Sequence, residues 1–144
     1  DSLAESYEGY IAPNILEIGD LHAGGMVFQI NENGSGLVAA MENLDGVYEW
    51  GEAVTQASSY SIEGYTGWHL PSFEELELMY NTIGRGASAD NIGGFSNNWY
   101  WSSSEFNGGN VMETDAWVIH FGNTSRTLNA HKFSSNRVRV IRSF

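Results

Sequence analysis

"GYTGWHLPSFEELELMYNTIG", Gly64 to Gly84, changes structural character within a few residues. Gly67 to Leu70 read as extended, and Pro71 disfavours helix in the residue before it. Ser72 and Glu75 have capping-box spacing: the Ser oxygen accepts the N–H at the third helical position, and the Glu reaches back to the Ser N–H. Leu76, Met79, Tyr80 and Ile83 then form one apolar stripe, which Gly84 ends. The stretch therefore predicts an extended entry, a sharp stop and an amphipathic helix.

Upstream lies "EWGEAVTQASSY", in which Trp50, Ala53, Val54 and Ala57 fall at helical spacing. Before it, "GGMVFQINENGSGLVAAM" reads as a β-hairpin. Met26, Phe28 and Ile30 alternate with Val27 and Gln29, Asn31 to Gly36 supply turn chemistry, and Leu37 to Met41 return. "NENGSG" lacks the alternating Asp ligands and distal Glu of a calcium loop and reads as that turn. Downstream, Gly84 to Asn98 is loop. "NWYWSSS" and "DAWVIHF" are strands. "GNTSRTLNAHKFSSN" is mostly polar, and "RVRVIRSF" closes as a strand. In "DAWVIHF", Trp117, Ile119 and Phe121 share one side, and Ala116, Val118 and His120 the other, with His120 expected to be exposed. Helices followed by a run of strands predict an α+β fold. Residues 1–19 are acidic and weakly patterned, a linker or N-terminal segment, and 20–144 form one domain. The chain begins at Asp1, so a signal peptide or longer upstream region is expected.

A length of 144 residues with 42% hydrophobic and 13% aromatic content is enough for one folded core. The formal charge of −12 argues against nucleic acid and anionic membrane as partners, because phosphate contacts need Lys and Arg. No stretch is long or apolar enough for membrane insertion as a helix. Five of the six basic residues follow position 125, and Arg137, Arg139 and Arg142 intersperse with Val138, Val140 and Ile141. That alternation reads as a terminal strand with guanidinium groups on its wetter face. The absence of cysteine removes disulfides, thiolate metal sites and thiol catalysis.

His22, His69, His120 and His131 have no ligand spacing, so no metal or other cofactor is expected; His69 reads as half-buried beside Trp68. Ser103 or Ser104 with His120 offers the residue types of a serine hydrolase, yet the strained Gly-x-Ser-x-Gly elbow is missing. Trp50, Trp68, Trp101 and Trp117 have apolar neighbours and read as core. Trp99 is the candidate for a stacking surface.

Four motifs occur in order: Gly67–Leu76, Tyr100–Ser103, Ala116–Phe121 and Val138–Arg142. With "IGDLHAGGMVF" and "GLVAAM", they resemble the bacterial family represented by the C-terminal domain of collagen-like adhesins, over about residues 18 to 144. That family is similar to C-type lectin-like domains. The resemblance implies two helices packed on a twisted antiparallel sheet with long irregular loops. It also implies ligand recognition in adhesins, in phage receptor-binding tips or in variable proteins of diversity-generating retroelements. The last group shares the Y-W-S-S-S-E run, Asn-rich stretches, A-W and the closing V-R-x-x-R-x-F. Trp99, read above as a stacking surface, joins twelve residues in segments matching that group's variable region: Phe106, Asn107, Gly108, Asn110, Val118, His120, Asn123, Ser125, Thr127, Asn129, His131 and Phe133. The expected mount is Trp101, Trp117, Ile119 and Phe121, with 106–115 as the displayed loop. The E-P-N, Q-P-D and W-N-D runs of calcium-dependent sugar binding are missing, so calcium is not supported.

The expectation is a non-enzymatic recognition domain, extracellular, at a cell surface or on a phage particle, binding a protein or glycan on another cell. The alternatives are the serine hydrolase and a structural, trimerising fibre tip.

Overall fold

The structure is a computed structural model that describes residues 15–88, 90–106 and 114–144. It is α+β, with two helices and two antiparallel sheets. A four-stranded sheet has the order β1 (Leu21–His22), β2 (Gly25–Ile30), β3 (Gly36–Ala39), β7 (Ile141–Ser143). A three-stranded sheet has the order β4 (Trp99–Phe106), β5 (Asp115–His120), β6 (Arg126–His131). The helices are α1 (Trp50–Ser59) and α2 (Phe73–Ile83).

The helix that follows Pro71 forms as its sequence predicts. Ser72 Oγ accepts the Glu75 N–H at 3.1 Å, and Glu75 Oε1 accepts the Ser72 N–H at 2.9 Å. Leu76, Met79, Tyr80 and Ile83 are buried. The hairpin of β2 and β3 is also present, with a register shift between Val27 and Gln29. A further tight turn precedes it: Ala23 and Gly24, at φ 52° and 89°, close β1 onto β2. Positive φ at both central positions is the geometry whose twist matches a two-residue hairpin.

Two buried clusters lie on opposite faces of the strands. Met26, Phe28, Leu37, Ala39, Tyr100, Ile119 and Ile141 pack with the apolar stripe of α2. Val27, Val38, Trp101, Ala116, Val118, Val138 and Val140 pack with Ala53 and Ala57 of α1 and with Trp68. One helix thus lies on each side of the strands. Val54 faces solvent, because the buried stripe of α1 is only Ala53 and Ala57.

The C-terminal stretch joins the two sheets. Arg137 bonds across to β4 through Trp99 and Trp101, Val138 and Val140 carbonyls accept the Leu44 and Ala40 N–H groups, and Ile141 pairs with His69. The alternation of "RVRVIRSF" is real, but its second face is not wet throughout. Arg139 is 1% exposed. Its guanidinium donates to Asn43 Oδ1 and to the carbonyls of Ala40, Gly93 and Gly94 at 2.7–3.1 Å, and it lies 4.2 Å from the Phe95 ring centroid. Burial draws its pKa down to about 10. Arg142 is half-buried, donates to Thr66 and Ala23 carbonyls and lies over Tyr65. These arginines are interior fasteners rather than a solvated row. His69, expected to be half-buried, is exposed. The run 122–136, read from the sequence only as mostly polar, contains β6.

Candidate functional site

The register of the three-stranded sheet decides which side chains can meet a ligand. Cross-strand partners share a face. Asp115 pairs with His131, Trp117 with Asn129, and Ile119 with Thr127, while Phe106 pairs with Asp115 and Tyr100 with Ile119. The odd-numbered residues of β5 and β6 therefore occupy one face. At the α2 end of that face Tyr100 and Ile119 are buried. Beyond the helix it opens to solvent. Thr127 and His131 are exposed, and Asn129, Trp117, Asp115 and Phe106 are half-buried.

This open strip has an aromatic floor and a polar outer column. Trp117 sits between Phe73 and Phe106, with ring centroids 5.5 and 5.2 Å away. Asn129 Nδ2 donates to Asp115 Oδ2 at 2.6 Å, and Thr114 Oγ1 donates to Asp115 Oδ1 at 3.1 Å. His131 Nδ1 accepts the Phe133 N–H at 3.2 Å, and the two rings lie 5.2 Å apart. Phe133 is 75% exposed. Thr127, Asn129 and His131 thus stand in one row, as period-two geometry requires.

Two expectations about the mount need correction. Val118, expected among the displayed residues, is 1% exposed beneath α1 and next to Trp101. Its face is the even-numbered one, which the second cluster covers. Trp117, expected in the buried mount, is half-buried because α2 reaches the odd face only as far as Phe73. Trp101, Ile119 and Phe121 are buried as expected.

The remaining predicted residues lie at the other end of the sheet. Trp99 and His120 are cross-strand partners with rings 4.9 Å apart, and the Arg126 guanidinium lies 5.4 Å from the Trp99 ring centroid. Both rings are half-buried, so His120 is less open than expected. Its Nδ1 accepts the Gly122 N–H at 3.1 Å. Burial, with Arg126 and Arg85 nearby, holds its pKa below the usual histidine value. Asn123 and Ser125 are exposed in the turn leading to β6. Asn107, Gly108 and Asn110 lie outside the described residues. The described strand candidates therefore divide by face: Phe106, Thr127, Asn129 and His131 lie on the odd face, and Trp99, Val118 and His120 on the even one.

Ser103 and Ser104 do not meet His120. The register puts His120 opposite Trp99, about 13 Å along the strand from Ser103 at about 3.3 Å per residue. Ser104 Oγ instead accepts the Phe73 N–H at 2.9 Å. No group of three or more metal-binding side chains occurs among the described residues.

Sequence reasoning missed a cleft of about 410 Å³ where the end of β6 meets the start of α1. Glu49, Trp50, Glu52, Thr114 and the run His131–Phe133 line it. The Trp50 N–H donates to the Lys132 carbonyl at 2.9 Å, which docks the helix on the strand end. The Lys132 ammonium lies 4.4 Å from the Trp50 ring centroid and is ion-paired with Glu105. Trp50 Nε1 donates to the Ser102 carbonyl, so the indole is fixed edge-on to β4.

The scaffold is thus α+β with a helix on each side of the strands, and the end of β6 lies open beside a cleft. The sequence matches the Lcl C-terminal domain over residues 28–142, and the chain belongs to that family. The family is one of adhesin-like, variable ligand-binding domains. No curated protein matches the chain.

Proposed function

We propose that this chain is a non-enzymatic recognition domain of C-type lectin-like fold, working outside the cell or on a phage particle. It binds a protein or glycan on another cell through the open odd face of β5 and β6 and the turns that flank it. The observation that carries this reading is the contrast between neighbouring strands. In β5, Ala116, Val118 and Ile119 are at most 1% exposed, whereas in β6 Thr127 and His131 are exposed and Asn129 is half-buried. Side chains on β6 contribute little packing and can change while the fold stays. Tyr-like and Trp-like rings beside Asn, Ser and Thr form an adaptable binding surface of the kind antibodies use.

A narrower form of the reading makes the chain a retroelement-diversified variable protein. A reverse-transcriptase gene beside a near-copy of the 3′ coding end would support it, and neighbouring DNA without either would end it. The broader reading is tested on glycan and protein arrays. The chain should bind a discrete set of spots, and Thr127→Ala/Asn129→Ala/His131→Ala should abolish them while shifting the melting temperature by less than about 4 °C. Spots that survive the triple substitution would refute the assigned face.

A further inference from the structure

We infer that the cleft between β6 and α1 seats a basic side chain, lysine or arginine, from a partner protein. The inference rests on the recognition reading above and names what the β6 end takes hold of. The cleft, at about 410 Å³, falls within the size range of ligand pockets. It is too small for a folded element and suited to one long side chain. Its walls are the Trp50 indole and the exposed Phe133 ring, surfaces on which an alkyl stem packs and over which a cation is held.

The chain shows that chemistry internally. The Lys132 ammonium already sits over Trp50 and is neutralised by Glu105. That leaves Glu49 and Glu52 at the mouth. Both are exposed, Glu49 makes no capping bond, and neither is ion-paired among the described residues. These carboxylates answer the positive end of the α1 dipole, which is worth at most about 1 kcal/mol at an exposed position and leaves most of their charge for a cation. The cleft is thus apolar inside and negative at its rim, in a molecule of charge −12 that attracts basic partners from a distance.

A second copy is a poor occupant. It carries the same −12, and five of its six basic side chains are hydrogen-bonded or ion-paired within the described fold, the sixth being the exposed Arg126 beside Trp99.

The test uses Ac-Gly-Lys-Gly-NH₂, its arginine analogue, its Nε-acetyl-lysine form and a methyl glycoside as probes, read by amide chemical shifts of the full chain. The lysine and arginine peptides should saturate shifts at 49–52, 114 and 131–133 with Kd of about 1 mM, the strength expected of one side chain. The acetylated peptide should bind at least about 10-fold more weakly, having lost its charge. Glu49→Gln/Glu52→Gln should weaken the lysine peptide about 5-fold or more. Glu74→Gln/Glu77→Gln, the same charge change on α2, should weaken it less than about 2-fold. Equal losses in the two pairs, equal binding of the acetylated peptide, saturation of the same amides by the glycoside, or no saturable shift would each overturn the inference. Array binding separates this failure from failure of the recognition face. If Glu49→Gln/Glu52→Gln keeps every spot while Thr127→Ala/Asn129→Ala loses them, the face stands and the cleft assignment falls. Spots lost with the first pair but kept with the second would do the reverse.

Discussion

Replacing Arg139 is the sharpest test of how this scaffold is fastened. Its guanidinium is fully enclosed and has no carboxylate partner. It is held by three backbone carbonyls and Asn43 Oδ1. Those acceptors come from two separate segments, Ala40–Asn43 after β3 and Gly93–Gly94 before β4, so the side chain staples one to the other. A hydrogen bond from a charged donor contributes about 1.5–3 kcal/mol net, yet the four cannot simply be added. Burial opposes them, drawing the guanidinium pKa down to about 10. Arg139→Met removes the charge and its burial cost, keeps most of the volume over Phe95, and strands the Ala40 and Gly93 carbonyls. Each stranded carbonyl costs about 1–3 kcal/mol, so the variant should lose about 3 kcal/mol. Arg139→Lys keeps the charge without the planar fork and should lose about 2 kcal/mol. The assay is urea unfolding followed by tryptophan fluorescence, with the slope unchanged and only the midpoint lowered. An Arg139→Met midpoint within about 0.5 kcal/mol of wild type would refute the staple.

Ser72→Ala should cost about 1 kcal/mol in the same assay by removing the N-terminal cap of α2; an unchanged midpoint would mean the box is ornamental. Val118→Asn should destabilise severely, by more than about 3 kcal/mol, because an amide would be buried under α1 without partners. Thr127→Asn, one strand away and exposed, should stay within about 0.5 kcal/mol. The His120 pKa is lower folded than unfolded, so the unfolded chain takes up its proton first as pH falls. Its contribution is fully present above the unfolded value near 6.5 and lost as pH drops through the folded value. His120→Gln should flatten that part of the stability–pH curve; an identical slope in the variant would show that other groups carry it.

How much of this could be read beforehand depends on the range of the interaction responsible. The capping box at Ser72 and Glu75 is local, three residues apart, and the helix followed from it. The β2–β3 hairpin is local too. Alternation in "DAWVIHF" correctly sorted the side chains of β5 into two sets. It could not tell how far each set is covered, because the covers are helices distant in sequence and packed on opposite sides. Hence Val118 was assigned to the surface and Trp117 to the interior. The same gap hid Arg139: alternation placed it opposite Val138 and Val140 correctly, but the acceptors enclosing it lie some 45 to 99 residues away. Strand β6 carries no apolar alternation, since its odd residues face solvent and its even residues are Arg126, Leu128 and Ala130. One signal was available. The residues matched to the variable region from 123 to 133 fall at every second position, which is the period of a strand that shows one face.

The cleft was illegible for a related reason. Trp50 reads as the first apolar residue of a helix, and His131–Phe133 as part of a polar run. They meet only because the Trp50 N–H, left over at a helix start, is satisfied by the Lys132 carbonyl at the end of β6. One backbone bond that completes α1 therefore also builds the pocket wall. This makes the pocket floor part of the scaffold, while Glu49, Glu52 and Phe133 at its rim hold nothing else in place. A domain built this way can change what the rim prefers without loosening the helix beneath it, provided Trp50 and the chain path through Lys132 are kept.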